Sequence, residues 1–242
     1  VKLKSLLAKD WSARVTVTEV RQPAGCLLDA SKVCNQTRPF LSRIIDVIRL
    51  PNSVKGSDVV NFDSDALKDV AFWRSSLSDF NGVRLIRHTS LEIPDSHLSM
   101  DATPTGGGAF YGILNPLSHL DNTHKAAIAS GLYMSFVFPN FICTASEGDI
   151  NCTEMLMVLI CLRKWGVYMV NGCHQFYIDN MSTVDSLYSG RSTNSFRQSL
   201  LREVAVLTTR LDVSLRPSGL PGVENRLADH LNCMPHNQSK FA

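Results

Sequence analysis

The sequence predicts an α/β domain, a mixed sheet with helices on its faces, preceded by a small, mainly helical region. Three observations carry this. From about His88 onward the chain reads as short strands and helices in the order β-β-β-α-β-α-β-α, whereas the first third reads as helix. The charge changes at the same place: Val1–Arg87 holds 14 Lys and Arg against 9 Asp and Glu, a net +5, and His88–Ala242 is net −3. The 242 residues are 44% hydrophobic and 19% charged, which supplies a core and argues against a disordered chain. That length fits one large or two modest domains, placed here at 1–87 and 88–242.

Along the first third, Leu3, Leu6, Leu7 and Trp11 fall at helical spacing. Pro39–Leu50 sets Phe40, Leu41, Ile44, Ile45 and Ile48 on one stripe that Pro51 ends. Asp63–Gly82 is a further helix with Ser64 as its cap and Asn81-Gly82 as its stop. Its apolar face comprises Ala66, Leu67, Val70, Phe72, Trp73, Leu77 and Phe80. Trp73 is most simply a packing residue, with stacking on nucleic acid the lesser alternative.

After His88, Leu98–Asp101 and Gly108–Leu114 form a strand pair around a glycine-rich turn, and Leu132–Phe138 is a third strand stopped by Pro139. Asn151–Trp165 is a strongly apolar helix. Gln175–Asp179 is a short strand, followed by helices at Met181–Tyr188 and Phe196–Arg210. Leu211–Arg216 is the last strand. A Pro/Gly loop, Pro217–Gly222, leads to a final helix at about Glu224–Cys233.

Several classes are disfavoured. Seven cysteines with no C-x-x-C pair argue against a zinc ribbon or a disulfide framework, and reduced thiols in an intracellular protein are expected. No segment has the pattern of a signal peptide. The longest apolar run, Met155–Leu162, is too short to cross a bilayer, so no membrane partner is expected. The chain opens on Val1, as a piece of a longer protein would. The net charge of +2 singles out no partner.

Four acids sit at the ends of apolar elements: Asp101 before T-P-T-G-G-G, Glu154 in N-C-T-E-M-L, Asp179 in F-Y-I-D-N, and Asp229 in N-R-L-A-D-H-L. Burying such groups is costly unless something compensates, and a hard divalent cation does. Singly, each has an ordinary explanation. Glu154 or Asp229 could complement a helix dipole, and Asp101 or Asp179 could bond turn backbone. Four in the order strand, helix, strand, helix is a less ordinary pattern.

That order resembles the ribonuclease H domain of retroelement reverse transcriptases, DIRS-type or gypsy-like. The stretches that carry it are D-A-T-P-T-G-G-G-A (Asp101–Ala109), N-C-T-E-M-L (Asn151–Leu156), Y-I-D-N-M-S-T-V (Tyr177–Val184) and P-G-V-E-N-R-L-A-D-H-L (Pro221–Leu231). Upstream, A-F-W-R-S-S-L-S-D-F-N-G (Ala71–Gly82) resembles the segment preceding this domain in DIRS-type elements. Residues 1–50 are loosely similar to the end of a polymerase thumb. The resemblance spans about 60–242 with some specificity.

The resemblance implies a ribonuclease-H-like mixed five-stranded sheet flanked by helices. It implies two Mg²⁺ ions, with Mn²⁺ a possible substitute, roughly 3.5–4 Å apart. Asp101 would bridge both ions, Glu154 and Asp179 would bind the one that activates water, and Asp229 would hold the other. The implied substrate is the RNA strand of an RNA–DNA hybrid, cut to leave a 5′-phosphate and a 3′-hydroxyl. RNA would be told from DNA by its 2′-OH. Gly106–Gly108 would allow a phosphate backbone to approach, or else make a tight turn.

There are departures. The loop Arg216–Asn225 lacks the histidine that many cellular ribonucleases H carry there, and His230 is a poor substitute, so slow turnover is expected. Arg163 and Lys164 are too few for a basic hybrid-binding helix, which leaves the basic first third to grip phosphates. No Y-x-D-D polymerase motif is present, so polymerase domains would lie elsewhere in the parent protein. The alternative function is a catalytically silent nucleic-acid-binding or scaffold domain of a decayed or domesticated element. A DNA-cutting relative of integrases and transposases fits N-x-x-A-D less well.

Overall fold

The computed structural model describes residues 2–33, 35–49, 55–79, 94–112 and 132–237. The chain divides into two compact units, Val1–Arg87 and His88–Ala242.

The first unit is mainly helical: α1 (Lys2–Leu7), α2 (Val17–Val33), a 3₁₀ turn (Asn35–Phe40), α3 (Ser42–Ile48) and α4 (Ser64–Asp79). A two-residue antiparallel pair joins β1 (Val15–Thr16) to β2 (Val59–Val60). Leu7, Trp11, Val17, Val20, Leu27, Ile44, Val70 and Trp73 are buried. Trp73 packs inside, its indole N–H donating to the Phe40 carbonyl at 3.0 Å. Phe40 stacks on Phe72 with ring centroids 3.5 Å apart. The cap of α4 is Asp63 rather than Ser64. Its carboxylate accepts from the Ala66 N–H at 2.7 Å, three residues into the turn, where an orphan donor needs an acceptor. Phe80 and the expected Asn81-Gly82 stop lie outside the described residues.

The second unit is built on β3 (Ser96–Ala102), β4 (Gly106–Gly112), β5 (Tyr133–Val137), β6 (Cys173–Ile178) and β7 (Ser214–Gly219). The sheet order is β5-β4-β3-β6-β7. β4 runs antiparallel to β3 and β5, and β3, β6 and β7 are mutually parallel. Helices α5 (Asn140–Ser146), α6 (Ile150–Trp165), α7 (Met181–Ser189), α8 (Ser195–Arg210) and α9 (Arg226–Asn237) complete it. This is the α/β architecture with a mixed five-stranded sheet expected from the sequence.

Helix α6 is buried almost all round, as an apolar helix between two layers must be. Its Met155, Val158 and Leu162 join Leu98 and Met100 of β3, Phe176 and Ile178 of β6, and Leu201 and Val204 of α8 in one core. Asp149, Asn180 and Asn194 cap α6, α7 and α8, each side chain accepting a backbone N–H. On the opposite face of the sheet, Leu227 and Leu231 of α9 cover Phe110.

Several boundaries differ from expectation; the stripe expected as one helix from Pro39 is a 3₁₀ turn up to Phe40 and then α3 from Ser42 to Ile48. The glycines 106–108 are in strand β4, and the turn is Thr103–Thr105, closed by the Thr103 N–H donating to the Gly106 carbonyl at 2.9 Å. Gly107 and Gly108 make room for neighbouring protein atoms. A Cβ on Gly107 would overlap the Met157 thioether, and one on Gly108 would lie 2.7 Å from the Ala228 carbonyl oxygen and collide with the Asn232 backbone nitrogen. The last strand begins three residues later than Leu211, because Leu211 and Asp212 close α8, and pairing with β6 starts at Cys173↔Ser214. Pro217 lies inside β7. It is tolerated because β7 is an edge strand, where one side of the backbone needs no partner strand. Ile113 and Leu114 lie outside the described residues.

Candidate active site

β3 and β6 are adjacent and parallel, but the chain leaves β3 toward β4 on one side and leaves β6 toward β7 on the other. Such a switch point opens a crevice at the carboxyl ends of the strands, where open α/β sheets bind ligands. Asp101 lies near the end of β3, and Asp179 directly follows β6. The register Met100↔Ile178 sets these two acids side by side.

Glu154 arrives from α6, on the apolar face of the sheet, and Asp229 from α9 on the other face. The structure brings Asp101, Glu154 and Asp179 together: each offers a carboxylate oxygen, and the three lie within 4.8 Å of one another. Asp229 lines a cleft of about 390 Å³ together with Asp101, Asp179, Asn225 and Arg226.

The four differ in environment. Glu154 is 1% exposed. Its Oε1 accepts the Ala102 backbone N–H at 2.9 Å, whereas its Oε2 is buried with no hydrogen-bond partner among the described residues. Burial, and then the charges of Asp179 and Asp101, push its pKa well above the ordinary carboxylate value. Asp101, 8% exposed, is pushed up to about 6, first by burial and also by Asp179 and Asp229. A hydrogen bond from the Asn232 amide to its Oδ2, at 2.7 Å, opposes that shift. Asp179 is exposed to the cleft, and its pKa is raised by partial burial and by Asp229.

Carboxylates clustered in this way resist ionisation unless a cation joins them. Oxygen-only donors suit Mg²⁺ or Mn²⁺. The partnerless Glu154 Oε2 supplies a buried acceptor for such an ion, so the residues present fit a divalent cation.

Two buried asparagines at this site escape a search for acids. Asn225, 2% exposed, donates to the Met100 carbonyl at 2.8 Å and accepts from the Ser99 hydroxyl. Asn232, 1% exposed, holds Asp101. The sequence does carry a signal for them. Residues 225, 229 and 232 are spaced as one helical stripe, all polar, beside apolar Leu227, Ala228 and Leu231. His230 is exposed, facing away from this stripe's buried neighbours.

Comparison with solved structures finds the ribonuclease H1 of the halophilic archaeon Halobacterium salinarum NRC-1. It is 14% identical with a TM-score of 0.39, over 61% of this chain and 98% of that one. The foamy viral protease-reverse transcriptase dRH in complex with double-stranded DNA is 12% identical with a TM-score of 0.30, over 87% of this chain. The foamy viral protease-reverse transcriptase in complex with RNA/DNA hybrid is 16% identical with a TM-score of 0.27, over 91% of this chain. The chain spans 36% and 27% of the length of those two viral proteins. No family model and no curated protein matches the chain. Among the described residues no helix is long and apolar enough to cross a membrane, and the six described cysteines are free thiols.

Proposed function

We propose that the chain is a Mg²⁺-dependent endoribonuclease that cleaves the RNA strand of RNA–DNA hybrids, and that it is part of a retrotransposon reverse transcriptase. The observation that carries the reading is the meeting of Asp101, Glu154 and Asp179 within 4.8 Å at the strand switch point, with one buried Glu154 oxygen lacking a partner. In this reading Asp101, Glu154, Asp179 and Asp229 hold the divalent ions. The bound ions supply Lewis acidity, toward a water as nucleophile and toward the leaving 3′-oxygen.

The chain's own part is to pre-organise the acids. The Ala102 N–H fixes one oxygen of Glu154, so its carboxylate is held beside Asp101 and Asp179. The Asn225 amide ties the start of α9 to the β3 backbone, which sets the distance from Asp229 to Asp101. The acids on rigid strand ends and helices need little reorganisation when substrate arrives. In this reading the scissile phosphodiester enters the cleft that Asp101, Asp179 and Asp229 line. Val1–Arg87 is read as a thumb- or connection-like segment whose excess of Lys and Arg contacts phosphates of the hybrid.

The test is cleavage of end-labelled RNA–DNA hybrid, double-stranded DNA and double-stranded RNA, each with Mg²⁺ and with EDTA. Cleavage confined to the RNA of the hybrid, abolished by EDTA and by Asp101→Asn, is the expected result. Hybrid binding without cleavage in Mg²⁺ or Mn²⁺ would establish the silent scaffold instead, and cleavage of duplex DNA would make the chain a DNA nuclease.

A further inference from the structure

We infer that Asn232 is a positioning residue for Asp101, and that the affinity of the acid cluster for divalent metal depends on this amide. The inference rests on the functional reading above. Asn232 lies on α9 one turn beyond Asp229, so one helix supplies both an acid to the cleft and a hydrogen-bond donor to the acid opposite. Its Nδ2 donates to Asp101 Oδ2 at 2.7 Å; Asn232 is buried, and Asp101 lines the cleft. A donor that grips one carboxylate oxygen fixes the plane of the group and leaves the second oxygen available as a ligand atom.

The reach of this amide is set by Gly108. Gly108 is paired with Asp101 across the β3–β4 ladder, and the α9 backbone rests directly on it, with the Leu231 carbonyl carbon 2.6 Å from where a Cβ would be. Any side chain there would lift α9 from the sheet and withdraw Asn232 from Asp101. The amide is also an odd choice on packing grounds alone. Its Oδ1 is buried with no hydrogen-bond partner among the described residues, which costs stability that an apolar residue of the same size would not forfeit. The neighbouring contacts of α9, from Leu227 and Leu231 to Phe110, are apolar. A polar group kept among them at the cost of an unsatisfied oxygen is explained by the bond it makes to Asp101.

The experiment is Mn²⁺ binding to the full chain without substrate, by calorimetry or electron paramagnetic resonance, with melting in EDTA measured alongside. Asn232→Leu is expected to weaken Mn²⁺ binding by about 10- to 100-fold, the range for removing an outer partner of a metal ligand. Melting in EDTA establishes that the variant is folded under the conditions of the titration. Thr208→Val, which removes a buried hydroxyl that donates to the Ala205 carbonyl within α8, is expected to leave Mn²⁺ affinity within about twofold. Equal affinities for wild type and Asn232→Leu, or equal weakening by Thr208→Val, would overturn the role of Asn232. Should Asn232→Leu not fold, Asn232→Ala is held to the same expectation. A wild-type chain that binds no Mn²⁺ would overturn the functional reading itself, and with it this inference.

Discussion

Replacing Asp101 by Asn tests whether the acid cluster is a charge trap waiting for a cation. In the metal-free fold the Asp101 carboxyl has its pKa pushed from 3.8 to about 6. A folded-state pKa above the unfolded one means that the folded protein binds the proton more tightly. Stability is therefore fully present below about pH 4, declines as pH rises toward 6, and stays reduced above it. A shift of that size corresponds to about 3 kcal/mol at most, and solvent reaching the cleft lowers this to about 2 kcal/mol. Asn has nearly the same shape and carries no charge. In EDTA at pH 8, Asp101→Asn should therefore be more stable than wild type by about 1–2 kcal/mol. For a domain of this size that is about 2–8 °C in melting temperature. At pH 4 the difference should vanish, because the wild-type carboxyl is then neutral as well. The assay is thermal melting at both pH values, with and without Mg²⁺, beside hybrid cleavage, which should be lost. An Asp101→Asn protein that melts well below wild type in EDTA at pH 8, or an advantage unchanged at pH 4, would refute the reasoning. Asp101 would then be a structural hydrogen-bonding residue.

Three further perturbations probe neighbouring links. Glu154→Gln keeps the acceptor for the Ala102 N–H but removes the buried charge, so it should raise the melting temperature in EDTA at pH 8 and abolish Mn²⁺ binding in calorimetry. Gly108→Ala drives a methyl into the α9 backbone and should cost about 1–3 kcal/mol in urea unfolding, with Mn²⁺ affinity falling in parallel; an unchanged midpoint would mean that α9 does not rest on β4. Asp63→Ala removes the α4 cap and should cost about 1 kcal/mol in the first unit without altering Mn²⁺ binding.

Most strands and helices of the second unit are legible because they have their own apolar signature; the seven-residue α5, whose Phe141 is exposed, has none. Leu132–Phe138 and Asn151–Trp165 fall within a residue or two of the observed elements. Sequence and structure part where local chemistry is ambiguous. A Gly-Gly-Gly run reads as a turn, yet it forms a strand here because Met157 and α9 occupy the space that side chains would fill. Pro217 reads as a strand breaker, yet it sits in β7, which pairs on one side only among the described residues. Helix α2 has no clear outline in the sequence, since Pro23 and Gly25 interrupt its pattern while burial of Val17, Val20, Ala24 and Leu27 sustains it.

For the candidate site, the sequence alone determined which residues are chemically unusual: four acids set against apolar strands and helices, where desolvation demands compensation. That much is visible because the cost of burying a charge depends on the apolar character of the neighbouring sequence. Only the tertiary structure decided that Asp101, Glu154 and Asp179 meet within 4.8 Å, that one Glu154 oxygen is left without a partner, and that Asn232 holds Asp101. Those facts depend on strand register, on the direction in which the chain leaves each strand, and on how closely a helix can lie on a glycine. All three are fixed by contacts between residues far apart in the chain, which local sequence pattern does not encode.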